Sequence, residues 1–171
     1  MDCLRLIDKK MKKIENKIKI RKTRKEDLIE IQKMICDTYK KFNKKEGTKK
    51  AMERYLEGHN PKQDFNKILI KFKKSEISLV CILDNKIVGV VRGKKGDMGN
   101  LFIHKKFHGE KIGKKLIESF EKLSKKEGVE EIKLKSSLYA IPFYQKMSYK
   151  KTTGMRNYKG LKYQPMRKEL K

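Results

Sequence analysis

Apolar positions along this chain change period several times, and each change marks an element. Leu4, Ile7, Met11 and Ile14 recur at spacings of three and four, which predicts a short amphipathic helix over residues 1–16. Residues 17–22 (KIKIRK) alternate apolar and basic, the pattern of a strand with one buried face. Thr23 followed by Glu26 reads as a capping box, and Leu28, Ile31, Met34, Ile35, Tyr39 and Phe42 carry a helical period to about Asn43. Gly47 breaks that run. A second helical piece spans about Thr48 to Leu56 and ends at Gly58, and Pro61 opens a third that runs to about Lys74.

The period then falls to that of strands. ISLVCIL (77–83) and KIVGVV (86–91) flank the turn pair Asp84-Asn85 and predict a hairpin. Leu101 to Ile103 reads as another strand. Ile112, Leu116, Ile117, Phe120 and Leu123 form one helical stripe to about Lys126, stopped by Gly128. EIKLK (131–135) is a strand, a short helix follows over about 139–147, and strands end the chain near 149–153 and 162–169. The crossover from strand 101–103 through the helix to strand 131–135 is long enough to be parallel, whereas the short turns elsewhere are antiparallel. The expected fold is α/β (α+β): a mixed, mostly antiparallel sheet of six to seven strands flanked by helices. Residues 17–171 are expected to form a single domain behind a helical extension at 1–16.

Charge adds a partner class. The chain has 47 Lys and Arg against 21 Asp and Glu, a formal net charge of +26, which favours an anionic partner. Only seven of the 47 are Arg, and the Lys are spread along the whole chain. That is a solvated surface more than a base-reading one, so nucleic acid is a less favoured partner than a phosphorylated small molecule. Cys3, Cys36 and Cys81 form no C-x-x-C pair, arguing against a disulfide framework or zinc cluster and for a reducing, cytoplasmic compartment. No H-E-x-x-H motif or Cys/His cluster exists, so no metal is expected. Neither a signal-peptide core nor a membrane-length apolar stretch is evident, and no membrane partner is expected.

Candidate chemistry concentrates in residues 100–116 (NLFIHKKFHGEKIGKKL). A strand ends near His104, a glycine-bearing loop turns, and a helix begins near Lys111. The first N–H groups of a helix lack internal partners, and phosphate is a usual guest there. Lys111 and Lys114 add charge at the same end.

The stretch LFIHKKFHGEKIGKKLIESFEK resembles the acetyl-CoA-binding segment of the GNAT superfamily of N-acetyltransferases, in which a strand leads into [QR]-x-x-G-x-[GA]. His108 stands at the Gln/Arg position, Lys111 at the first Gly and Gly113 at the second small residue. SLYAIPFYQKMSY (137–149) resembles the second signature, N-x-x-A-x-x-F-Y-x-x-x-G-[FY]. Ser137 replaces Asn, Ala140, Phe143, Tyr144 and Tyr149 match, and Ser148 replaces Gly.

The resemblance implies a GNAT-like fold and an acetyl-CoA-dependent N-acetyltransferase acting on a primary amine of a small molecule or peptide. Leu101, Phe102 and Ile103 would line the cofactor, with Phe102 and Ile103 touching it through their backbone. His108, Gly109, Glu110, Lys111, Ile112, Gly113 and Lys114 would hold its diphosphate. Lys111 would keep its N–H available in a helical conformation. Ser137 would cap the next helix or touch the cofactor. Tyr144 would protonate the departing thiolate. For the general base, Asp97 is the first choice, with Glu53 and Glu57 as others. A CoA-binding domain without turnover and a basic nucleic-acid- or ribosome-associated protein are the alternative functions, and the chain is expected to be a monomer or homodimer.

Overall fold

The alternation after Lys17 forms β1 (Lys19–Lys22), an edge strand antiparallel to β2 (Ile77–Leu83). The computed structural model describes residues 17–171, and the helix expected over residues 1–16 lies outside them. A 3-10 turn at Lys25–Asp27 leads into α1 (Leu28–Phe42). The Thr23 capping box does not form. The Thr23 N–H is still bonded to Ser78 O, and its hydroxyl shares a 2.7 Å hydrogen bond with Ser78 Oγ, so the chain cannot yet turn. The N-cap is Arg24 instead, and the carboxylate of Asp27, three residues on, accepts from the Arg24 N–H at 2.7 Å.

α2 (Lys49–Gly58) is capped by the Thr48 hydroxyl on the Ala51 N–H. α3 (Phe65–Lys73) begins at an Asp64 cap rather than at Pro61. β2 and β3 (Lys86–Lys94) join through Asp84 and Asn85, both left-handed at φ 47° and 61°, the conformation a two-residue hairpin needs. β4 begins at Asp97 and runs to Ile103, α4 spans Ile112–Lys126, and β5 spans Glu131–Ser136. α5 (Ile141–Lys146), β6 (Lys150–Lys151), β7 (Arg156–Tyr158) and β8 (Leu161–Glu169) complete the order. β7 escaped the sequence reading because all three of its residues are exposed and carry no burial pattern.

The eight strands of the described residues lie in the order β1-β2-β3-β4-β5-β8-β6, with β7 on β8. β4 and β5 are parallel and the other pairs antiparallel. The mixed α/β sheet is as expected, with more strands than the six to seven foreseen. α4 covers one face, where Leu116, Ile117 and Phe120 pack with Leu79, Cys81, Val91 and Ile132. α1 and α3 cover the other, where Ile31, Ile35 and Ile68 pack with Val80, Ile87 and Val90.

A bulge brings α4 close to the sheet. Cys81 stands opposite Gly89 but Ile82 opposite Ile87, so Val88 is the extra residue. A Cβ at Gly89 would come within 2.8 Å of Leu116. The bare backbone there lets the first turns of α4 settle against β3.

Arg21 secures the start of α1 by a two-pronged ion pair to Asp27, at 2.7 and 2.8 Å. This bond to Arg21 holds the Asp27 carboxyl below its ordinary value, against the opposing effect of burial. A depressed carboxyl contributes stability above its unfolded value, near pH 4, and loses it as pH falls through the lower folded value. Asp27→Asn is therefore expected to cost about 1–3 kcal/mol at neutral pH. In urea unfolding, the gap to wild type should narrow below about pH 4; a gap independent of pH contradicts the ion pair.

Candidate active site

β4 and β5 are bonded neighbours for a short distance only. Their register covers Asp97↔Lys133 and Met98↔Leu134. Beyond it β4 stays with β3 as far as Ile103↔Gly89, while β5 stays with β8 as far as Ser136↔Gln164. The two strands part, and a cavity of about 1130 Å³ opens between them.

Alternation decides which backbone groups face the gap. The His104 N–H bonds to Val88 O, so His104 and, two residues back, Phe102 turn their main-chain groups toward β3. Leu101 and Ile103 turn theirs toward the cavity. The main-chain groups that face the cavity are thus those of Leu101 and Ile103, and not those of Phe102. The Phe102 side chain packs with the α1-side cluster.

The floor of the cavity runs into the start of α4. Gly109 and Lys111 are left-handed, at φ 88° and 56°. The first intrahelical bond runs from the Lys115 N–H to Lys111 O, which leaves the amides of Ile112, Gly113 and Lys114 without a carbonyl in the helix. Lys111 is therefore not in the helical conformation expected of it, yet its N–H still lies in the loop. Ser148 shows the same departure, at φ 67°. At Gly113 a Cβ would come within 2.9 Å of Phe143 Cζ, so this glycine also seats α5 on α4.

Tyr144 lines the cavity and is 7% exposed, edge-on to Phe143 and Tyr149. Burial pushes its phenol well above the ordinary value, so it keeps its proton throughout the working range. Tyr149 donates to Glu121 Oε1 at 3.0 Å, and Lys168 donates to both Glu121 oxygens at 2.9 and 2.8 Å. That network ties α4 to β8 behind Tyr144.

His108 lines the cavity, with both ring nitrogens partnered within the protein. Its Nε2 meets Ile103 O at 2.9 Å and its Nδ1 meets Tyr139 Oη at 3.2 Å. A carbonyl only accepts, so Nε2 carries the proton in that bond. Phe42 stacks on the His108 ring at 4.4 Å and on Tyr139 at 4.7 Å. Thr38 Oγ1 also donates to Ile103 O, at 3.2 Å. An aromatic bridge from α1 to the β5–α5 loop thus crosses the cavity wall.

Ser137 lines the cavity, but it does not cap α5 through its side chain; its carbonyl accepts from the Ala140 N–H. Glu110 lies outside the lining and has Oε2 buried without a hydrogen-bond partner. Asp97 is exposed at the far end of β4, about 20 Å of strand from Ile103. Asp97, Glu53 and Glu57 are all absent from the cavity wall.

The carboxylate that is on the wall is Glu46, which the sequence reading missed. It is 6% exposed, with Oε1 accepting from the Tyr139 N–H at 2.8 Å and Oε2 from Asn43 Nδ2 at 2.7 Å. Its own carbonyl accepts from the Lys162 N–H. A polar K-K-E-G loop gives no sign of this burial, which depends on β8 arriving from more than a hundred residues away. The other charged residues on the wall are Arg54, Lys111, Lys114, Lys135, Lys146, Lys162 and Lys168.

A family model described as "Acetyltransferase (GNAT) domain" matches residues 40–170. The chain belongs to the GNAT acetyltransferase family. Solved structures agree in fold. A GCN5-related N-acetyltransferase from Rhodopseudomonas palustris has a TM-score of 0.79 at 20% identity, covering 89% of this chain and 95% of that one. PaiA N-acetyltransferase from Thermoplasma acidophilum, in complex with coenzyme A, has a TM-score of 0.69 at 22% identity, covering 89% and 98%. Ard1 from Thermoplasma volcanium has a TM-score of 0.67 at 15% identity, covering 90% and 98%. At these identities the likeness concerns the fold. No curated protein matches this GNAT chain in sequence. Among its described residues no cluster of His, Cys, Asp and Glu could hold a metal, and no helix is long and apolar enough to cross a membrane.

Two of this GNAT domain's departures from the family signatures, Lys111 and Ser148 for Gly, thus fall at positive φ, where glycine is the unstrained choice. Ser148→Gly is expected to leave stability unchanged or raise it by up to about 1 kcal/mol in urea unfolding. A loss of more than that contradicts the left-handed backbone.

Proposed function

We propose that this GNAT acetyltransferase moves an acetyl group from acetyl-CoA directly to a primary amine. The observation that carries the reading is the parting of β4 and β5 over a helix start with open amides, with a buried, protonated Tyr144 on the same cavity wall.

The residues present fit acetyl-CoA. The Gly109–Lys114 loop offers main-chain donors and lysines to a diphosphate. The cavity-facing main-chain groups of Leu101 and Ile103 match an amide-bearing arm laid along a strand edge. When bound, acetyl-CoA supplies an activated thioester. Leu101 and Ile103 orient its carbonyl, and the aromatic bridge of Phe42, His108 and Tyr139 keeps bulk water from that point. Tyr144 holds its proton at Oη for the leaving sulfur. The same desolvation that raises the phenol also raises the thiol of the departing group, which keeps the two matched.

This reading takes residues 17–171 as one catalytic domain. The free, buried thiols of Cys36 and Cys81 suit a reducing, cytoplasmic compartment. The basic wall suits an anionic cosubstrate, whose arrival the net charge speeds.

Acetyl-CoA is expected to raise the melting temperature, corresponding to about 2.7 kcal/mol at a hundred times its Kd. Thiol release with an amine present should fall about 100-fold or more in Tyr144→Phe, with the acetyl-CoA Kd nearly unchanged. Equal turnover removes Tyr144 from the acid role, and no thermal shift overturns the reading.

A further inference from the structure

Glu46 is a buried carboxylate in an unusual position for a chain so rich in cations. Both its hydrogen-bond donors, the Tyr139 N–H and Asn43 Nδ2, are neutral, and among the described residues no ion pair reaches it. A buried carboxylate is costly unless a cation or further donors complete it. Two neutral donors leave about half of its lone-pair sites for a ligand. Its negative charge is felt nearby, because it adds to the burial that pushes the Tyr39 phenol up to about 12.

Glu46 shares the cavity wall with Tyr144 and is linked to the β4 edge through a relay of hydrogen bonds. Tyr139, whose backbone it holds, reaches His108 through its hydroxyl, and His108 reaches Ile103 O. The surrounding wall is aromatic, with Phe42, Tyr55, Tyr139 and Tyr158, while Arg54 and Lys162 bring positive charge to the same cavity.

We infer that Glu46 receives the ammonium of the acceptor and takes its proton, and that the acceptor is a primary monoamine with an apolar or aromatic body. This rests on the N-acetyltransferase reading. The ammonium N–H bond breaks, its proton moves to a Glu46 oxygen, and the nitrogen keeps the electron pair with which it attacks the acetyl carbon. The aromatic faces accept the body and the single positive charge. A second positive charge on the acceptor meets Arg54 and Lys162, which disfavours polyamines.

The test compares 2-phenylethylamine with spermidine by thiol release, in wild type, Glu46→Gln and Lys162→Glu. Melting temperatures and acetyl-CoA affinity are measured beside them. The expected result has three parts. 2-Phenylethylamine exceeds spermidine in kcat/KM, and Lys162→Glu narrows that preference. Glu46→Gln loses about 100-fold at pH 7. That loss shrinks toward roughly pH 10, where the amine is already neutral in solution, which a merely structural role would not produce. Spermidine preferred over 2-phenylethylamine overturns the acceptor class, and a Glu46→Gln loss that is absent or independent of pH overturns the role of Glu46. If Glu46→Gln does not fold, an unchanged preference in Lys162→Glu overturns the acceptor class. If acetyl-CoA binds but no amine releases thiol, the transferase reading fails by itself. Calorimetry of 2-phenylethylamine on the CoA-bound protein then decides for Glu46: binding lost in Glu46→Gln supports the site, and equal binding overturns it.

Discussion

The arrangement depends on one constraint: two parallel strands that share backbone hydrogen bonds at one end and cannot share them at the other. β4 is held to Ile103 by β3, and β5 is held to Ser136 by β8. Sheet twist carries those outer partners apart, so the register between β4 and β5 stops at Met98↔Leu134. Backbone groups that would be satisfied in an unbroken sheet are left at Leu101 and Ile103 beside a cavity. Burying such groups without partners is expensive, and here Thr38 and His108 satisfy Ile103 O. A ligand that lies along this edge must replace or share those bonds.

Around that gap the chain assembles the rest from distant segments. The Val88 bulge and Gly89 bring the start of α4 down beside β4, and Gly113 lets Phe143 seat α5 against the same turn. Tyr144 is thereby buried one residue beyond that contact, with Tyr149, Glu121 and Lys168 locking the layer behind it. The charged side chains on the cavity wall are Lys and Arg, with Glu46 the one carboxylate among them.

The sheet was legible in the sequence because its strands are strongly patterned. The 77–83 and 86–91 runs with Asp84-Asn85 between them leave little choice but a hairpin, and the α4 stripe through Leu116 and Phe120 is equally plain. Where polar hydrogen bonding rather than burial decides, the reading slipped. Thr23 stays with β2, and the cap falls one residue later, at Arg24 with Asp27 as its partner. β7 is wholly exposed and gave no period. In the site, the signature segments located the loop, the cavity and Tyr144. Asp97 lies on the same strand as Leu101 and Ile103, at the end away from the cavity. Glu46 had no signal, since its burial comes from Tyr139 and Lys162, far away in sequence. Lys111 and Ser148, which stand where the two signatures have Gly, both hold positive φ, a strain that their sequence positions alone do not reveal.

The space between the parted strands is where we propose that the cosubstrate lies. A crystal structure with coenzyme A bound tests it most directly. The account predicts the diphosphate on the amides of residues 109–114, the arm against the exposed edge at Leu101 and Ile103, and the sulfur beside Tyr144 Oη. Coenzyme A seated in another groove, with β4 and β5 flanking empty space, would contradict it.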